Sequence, residues 1–162
     1  MNWLPATVLA LVTVQRLAEL VIARRNTAAL LARGGVEHGA AHYPAMIMLH
    51  GSWLTGLWVF GAGAPVSIPW LSAYVIVQGL RIWVLATLGR RWTTRIIAVP
   101  GEHLVARGPY RWLRHPNYTV VTLEVFMLPM VFGLWIFAIV FSLANAFMLA
   151  TRIKSEEAAL HR

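Results

Sequence analysis

The chain has 162 residues, of which 59% are hydrophobic and 12% charged, with a formal net charge of +8. At a mean hydropathy of +0.64 it lacks the polar surface of a water-soluble domain, in which about 25% of residues are charged. It contains no cysteine, which excludes disulfides, thiolate metal sites and cysteine nucleophiles, and no aspartate, which leaves little for Mg²⁺–carboxylate chemistry.

In chain order, the first apolar run covers residues 3–23, enough to cross about 30 Å of hydrocarbon as a helix. Gln15, Arg16 and Glu19 interrupt it. Arg16 and Glu19, three apart, share a helix face and can neutralise each other. Residues 24–42 are expected to form a polar connection holding Arg24, Arg25, Gly34, Gly35, Glu37, His38 and His42. Glu37 and the two histidines lack the rest of a ligand set, so no metal is expected, and the histidines suit a cavity mouth. A second span is expected over 43–60. His50 inside it is either a hydrogen-bonded packing residue or one that faces a substrate. Gly61-Ala62-Gly63-Ala64-Pro65 marks an uncharged turn, and the third span runs over 68–88 with Arg81 inside it.

Residues 89–117 form a basic segment punctuated by glycine and proline. Residues 118–150 are apolar again, too long for one crossing, and Pro129 and Gly133 near the middle divide them into a hairpin of spans 118–132 and 133–150. Residues 151–162 are a short amphipathic tail or the end of the last span. The expected fold is an all-α integral membrane protein of about five transmembrane helices, forming one domain over 1–162. Every basic cluster falls on one side of such a bundle, which orients the N-terminus outside and the C-terminus in the cytoplasm. The same clusters flank spans and form no continuous basic face, so nucleic acid is not expected as a partner, whereas membrane lipid is. Arg81 and Glu124 are costly within spans unless paired. They can pair with each other or line an acceptor cavity, where Glu124 could act as a general base.

The segment 100–118 is the most unusual. Positive-inside charge accounts for Arg107, Arg111 and Arg114, but not for tyrosines, prolines and a histidine among them. Gly108-Pro109 and His115-Pro116 are turn formers that fix where Tyr110 and Tyr118 point.

The run Gly108-Pro-Tyr-Arg-Trp-Leu-Arg-His-Pro-Asn-Tyr118, followed by an apolar hairpin and Arg152-Ile-Lys-Ser-Glu-Glu157, resembles the isoprenylcysteine carboxyl methyltransferase family over about residues 88–160. The short chain and the stretch 88–95 look like its small bacterial members, some of which are linked to O-methylation of long-chain alkylpyrones and alkylresorcinols. The resemblance implies a bacterial inner-membrane enzyme that uses S-adenosylmethionine in a cytoplasm-facing pocket. It implies that His103, Leu104 and Val105 line the adenosine site. Gly108, Pro109 and Tyr110, with Arg114, His115, Pro116 and Tyr118, would wrap the cofactor, and Glu156 and Glu157 would help to hold it. Arg152 and Glu156, four apart, would be helix neighbours. Candidates for the catalytic step are Glu124, Arg152, Glu157, His50 and Arg81, with Arg95 as a ligand for a substrate or cofactor anion. The expected acceptor is lipophilic, either the hydroxyl of a long-chain polyketide or the carboxylate of an isoprenylcysteine.

These residue types suit that cofactor. Carboxylates can meet its ammonium or ribose, arginine or histidine its carboxylate, and aromatic faces its sulfonium. There is no Gly-x-Gly-x-x-Gly of a Rossmann-type site. Two other readings remain. Sterol reductases carry a similar Arg-His-Pro-Asn-Tyr segment that binds NADPH, but usually continue with glycine and glutamate, where this chain has Thr119, Val120 and Val121. A non-catalytic membrane module is the other, since a fold does not prove an activity.

Overall fold

The structure is a computed structural model and describes residues 3–160. Five helices carry it: α1 (Leu4–Ala32), α2 (Tyr43–Gly61), α3 (Ile68–Leu88), α4 (Pro116–Val131) and α5 (Trp135–Leu160). Two three-residue strands, β1 (Val36–His38) and β2 (Ile96–Ala98), pair antiparallel with Glu37 opposite Ile97. The fold is helical as expected, and the small sheet is an addition to it. The tail of 151–160 is the continuous end of α5, and residues 161 and 162 of the expected tail lie outside the described residues.

Proline opens four of the helices, with Pro5, Pro44, Pro69 and Pro116 in their first turns, where the missing N–H would have had no partner anyway. Glycine closes two. After α1, Gly34 takes φ +83°, its N–H donates to the Leu31 carbonyl, and that of Gly35 to Leu30. The hairpin between α4 and α5 repeats the pattern, with Gly133 donating to Met130 and Leu134 to Pro129. Both are Schellman ends, which need a left-handed residue just past the last turn.

Helix α1 therefore runs nine residues beyond the expected boundary at Ala23. Arg24 and Arg25 are exposed, while Ala23, Asn26 and Leu30 on the other face are buried. The arginines leave the apolar run but not the helix. Among the described residues, three helices are long and apolar enough to cross a membrane: Leu4–Ala32, Ile68–Arg91 and Trp135–Ala159. Helix α4, at 16 residues, is about 24 Å long; α2, with 19 residues, is diluted by His50 and its glycines.

The core joins four helices through Leu9 and Val12 of α1, Trp53 and Leu57 of α2, Tyr74 of α3, and Val125 and Leu128 of α4. Outward, Met48, Ile76 and Phe147 are 73%, 69% and 78% exposed, while Arg81, Glu124 and Asn145 are buried. Apolar outside and charged inside is the arrangement that lipid solvent selects. The protein is integral to a membrane.

Two cavities with a shared wall

The sheet ties the connection after α1 to the one after α3 and so builds a cap at one end of the bundle. Glu37 of β1 receives both bonds of Arg95 Nη1, at 2.8 Å to each carboxylate oxygen, and the guanidinium lies over the Tyr43 ring at 4.4 Å. The hydrogen bond to Glu37 holds the Arg95 guanidinium above its usual range. The segment after β2 is fastened through Glu102, which pairs with Arg33 and with Arg91 (3.0 Å), while Arg91 also donates to the His103 carbonyl at 2.6 Å.

Beneath this cap is an outer cavity of about 440 Å³, within the range of roughly 300–1,000 Å³ typical of small-molecule sites. His103, Leu104, Val105, Tyr110, Arg114, His115, Tyr118, Arg152, Glu156 and Glu157 all line it. Across it, Arg114 comes within 3.4 Å of Glu157, and His115 within 3.9 Å of Glu156 and 3.5 Å of Glu157. The His115 ring stacks on Tyr118 at 5.6 Å. Burial, with the charge of Glu156 adding to it, pushes the Tyr110 phenol well above the usual tyrosine range, so it stays neutral. Gly108, Pro109 and Pro116 stand behind the lining. A Cβ on Gly108, at φ +58°, would lie 2.5 Å from Thr87 Oγ1, so only glycine lets the turn pack this closely on α3. Pro109 is buried, and Pro116 starts α4.

An inner cavity of about 280 Å³ lies between the helices, lined by His50, Arg81 and Glu124 among others. Its charged wall is a closed network. Arg81 grips Glu19 with Nε and Nη2 (2.6 and 2.5 Å) and reaches Glu124 with Nη1 (2.8 Å). Arg16 bridges the same two carboxylates at 2.9 Å each. Gln78 donates to Glu124 at 2.8 Å and Gln15 to Glu19 at 3.0 Å. Two arginines and two glutamates sum to zero charge, and each carboxylate is engaged, as buried ions require. The His50 ring bonds the Met46 carbonyl at 3.0 Å. Leu20 and Ile47, 51% and 52% exposed, and exposed Gly51 also line this cavity, which opens sideways between α1 and α2.

The two cavities share Trp92, Thr93, Asn117, Tyr118 and Arg152. Arg152 is 6% exposed. It donates to the Thr94 carbonyl at 2.8 Å and faces Met46 Sδ at 2.7 Å, and its Nε–H has no acceptor. Among the described residues no carboxylate pairs with it. The sequence marks the stretch 88–95 only as part of the family resemblance and gives Trp92 to Thr94 no place in the site. Asn26 of α1 fixes them by donating to the Trp92 carbonyl at 2.7 Å, Thr27 meets Thr93 at 2.7 Å, and Tyr43 meets Thr94 at 3.0 Å. Asn117 accepts from the Trp92 indole at 3.3 Å.

Residues 70–162, from early α3 to the chain end, match the isoprenylcysteine carboxyl methyltransferase (ICMT) family. The chain belongs to this family. As an ICMT-family member embedded in a membrane, it is a membrane methyltransferase. The match covers the segment that carries Tyr110 to Tyr118 and both glutamates of α5, and leaves out α1 and α2. Its relatives include the uncharacterized protein YpbQ of Bacillus subtilis (strain 168), 38% identical over 99% of this chain and 96% of that protein. An uncharacterized protein of Haemophilus influenzae is 25% identical over 90% of this chain and 88% of its own length. Similarity to the Bacillus subtilis protein takes in nearly the whole chain, α1 and α2 included. No solved structure matches the chain significantly.

Proposed function

We propose that the protein transfers a methyl group from S-adenosylmethionine to an oxygen of a lipophilic acceptor, either a long-chain polyketide hydroxyl or an isoprenylcysteine carboxylate. The cofactor belongs in the outer cavity and the acceptor in the inner one. The observation that carries this reading is the shared wall: a cavity under the cap that holds Arg114, His115, Glu156 and Glu157 and a cavity open to the apolar exterior meet at Tyr118 and Arg152. Methyl transfer between a water-soluble donor and a lipid needs such a meeting point.

The outer cavity's donor set fits the cofactor. Glu156 and Glu157 offer acceptors to an ammonium or to ribose hydroxyls, the segment 103–105 gives an apolar bed for the adenine, and the faces of Tyr110 and Tyr118 suit a cation. When bound, the cofactor supplies an electrophilic methyl group. The protein's own work is positioning, which can account for several kcal/mol of a barrier. Arg152, buried and short of acceptors, holds the acceptor oxygen or the cofactor carboxylate at the junction. Both oxygens of Glu124 already accept from Arg81, Arg16 and Gln78, which favours an orienting role for this network. A carboxylate acceptor is ionised at neutral pH and needs no base. The basic clusters Arg24–Arg25, 90–114 and Arg152–Lys154 support a cytoplasmic outer cavity and an external N-terminus.

Calorimetric titration of the detergent-purified protein with S-adenosylhomocysteine and with NADPH tests the reading. Micromolar binding of the former alone is expected. Binding of NADPH alone transfers the outer cavity to a reductase, and silence from both overturns it.

A further inference from the structure

The turn that precedes the His115-Tyr118 wall carries an apolar surface with nothing on it. Trp112 is 70% exposed and Leu113 47%. The Trp112 ring leans on Trp83 of α3, itself 42% exposed, at 5.9 Å between centroids. Gly108 holds the turn against Thr87, so Trp112 reaches one helical turn, about 6 Å, further down α3 than the point where the turn docks. Helix α3 ends at Leu88, about 7 Å beyond Trp83, and the basic turn Gly89–Arg91 follows it. The pair thus sits just inside the boundary between acyl chains and headgroups, where tryptophans gather.

The charges around this aromatic pair have one sign. Arg91 and Arg114 face glutamates. Among the described residues, Arg90, Arg107 and Arg111 have no acidic partner, and the one bond shown for them is a long one from Arg107 to the Thr87 carbonyl, at 3.5 Å. Two of these guanidiniums, Arg107 and Arg111, belong to the same turn as Trp112 and Leu113, and Arg90 follows the end of α3; all three residues are exposed. A zwitterionic headgroup brings its own cation and leaves that charge unbalanced, whereas an anionic headgroup neutralises it.

We propose that the segment 107–114, with Arg90, is a docking surface for anionic lipid. Trp112 and Leu113 enter the boundary between acyl chains and headgroups beside Trp83, and Arg90, Arg107 and Arg111 bind the phosphates. The same turn continues into Arg114 and His115, which face Glu157 and Glu156 across the outer cavity, so the headgroups brace one wall of that cavity from outside. This docking does not depend on which cofactor the cavity holds.

The test uses the full chain in nanodiscs containing brominated phosphatidylglycerol or brominated phosphatidylcholine at equal mole fraction. Quenching of Trp112 is taken as the difference between wild type and Trp112→Phe. Enrichment of the anionic lipid by about fivefold per arginine is expected, seen as stronger quenching by brominated phosphatidylglycerol. The preference should vanish in Arg90→Gln/Arg107→Gln/Arg111→Gln and persist in Arg90→Lys/Arg107→Lys/Arg111→Lys, since charge and not fork geometry carries it. Equal quenching by the two lipids in wild type overturns the proposal. So does quenching by neither, or a preference that survives in the glutamine variant.

Discussion

Arg81 Nη1 lies 2.8 Å from Glu124 Oε2, two buried ions from different helices. Neither is stable there alone. Removing one partner leaves an uncompensated charge among Arg16, Glu19 and the survivor, and such breaks cost about 3–5 kcal/mol. Arg81→Ala and Glu124→Ala should each lower the melting temperature of the detergent-solubilised protein sharply. The double variant, which leaves the neutral Arg16–Glu19 pair, should melt above the temperature expected from adding the two losses. Strict additivity would show that the pair is not coupled.

Glu157 faces both Arg114 and His115, yet it is partly exposed, so its worth to stability is small. Its worth to binding is another matter if it accepts from the cofactor. Glu157→Gln should weaken S-adenosylhomocysteine binding by about tenfold or more with the melting temperature of the free protein nearly unchanged. Titration calorimetry and a thermal melt on one preparation separate the two quantities. A large drop in melting temperature with unaltered affinity would assign Glu157 to the fold alone.

Arg152 is the buried cation at the wall. A lysine there keeps the charge but loses the planar fork that serves Thr94 and a ligand oxygen together. Arg152→Lys should therefore recover little of the turnover lost in Arg152→Gln, with kcat falling more than cofactor affinity. Turnover is measured with labelled S-adenosylmethionine and a membrane lipid extract from a bacterial host. Near-complete rescue by lysine would mean that only charge matters at this position.

Gly51 lies on the sideways opening of the inner cavity, with no atom within 4 Å of where its Cβ would stand. Gly51→Phe should fold normally, bind S-adenosylhomocysteine as the wild type does, and slow transfer to a long-chain acceptor more than to a truncated one. Equal slowing of both would show that the acceptor takes another path.

The sequence announced some features and hid others for definable reasons. Helix α3 could be read to its ends because Pro69 opens it and Gly89 follows it within one apolar run. Helix α1 could not, because hydropathy stops at Arg24 whereas the helix stops at the Gly34–Gly35 signal. The Arg16–Glu19 contact follows from spacing, and the Arg81–Glu124 contact was one of two open alternatives. Their fusion into one network is a matter of helix packing, which no local spacing encodes. Strands of three residues separated by 57 positions leave no periodicity to detect. Arg95, expected to meet a substrate or cofactor anion, is engaged by Glu37 of its own chain, which no local spacing announces. Trp92 to Thr94 matter because Asn26, Thr27 and Tyr43 hold them, all distant in sequence.

The turn from Gly61 to Ser67 joins α2 to α3 at the end of the bundle away from the sheet, and none of its residues borders either cavity. Gly63 is exposed and has nothing within 4 Å of its Cβ position. The molecule thus has a working end and a handle. A reporter tag or a flexible insert spliced in at Gly63 can be carried without disturbing the cap, which makes that turn the natural grip for immobilising the protein on a bead or a sensor chip.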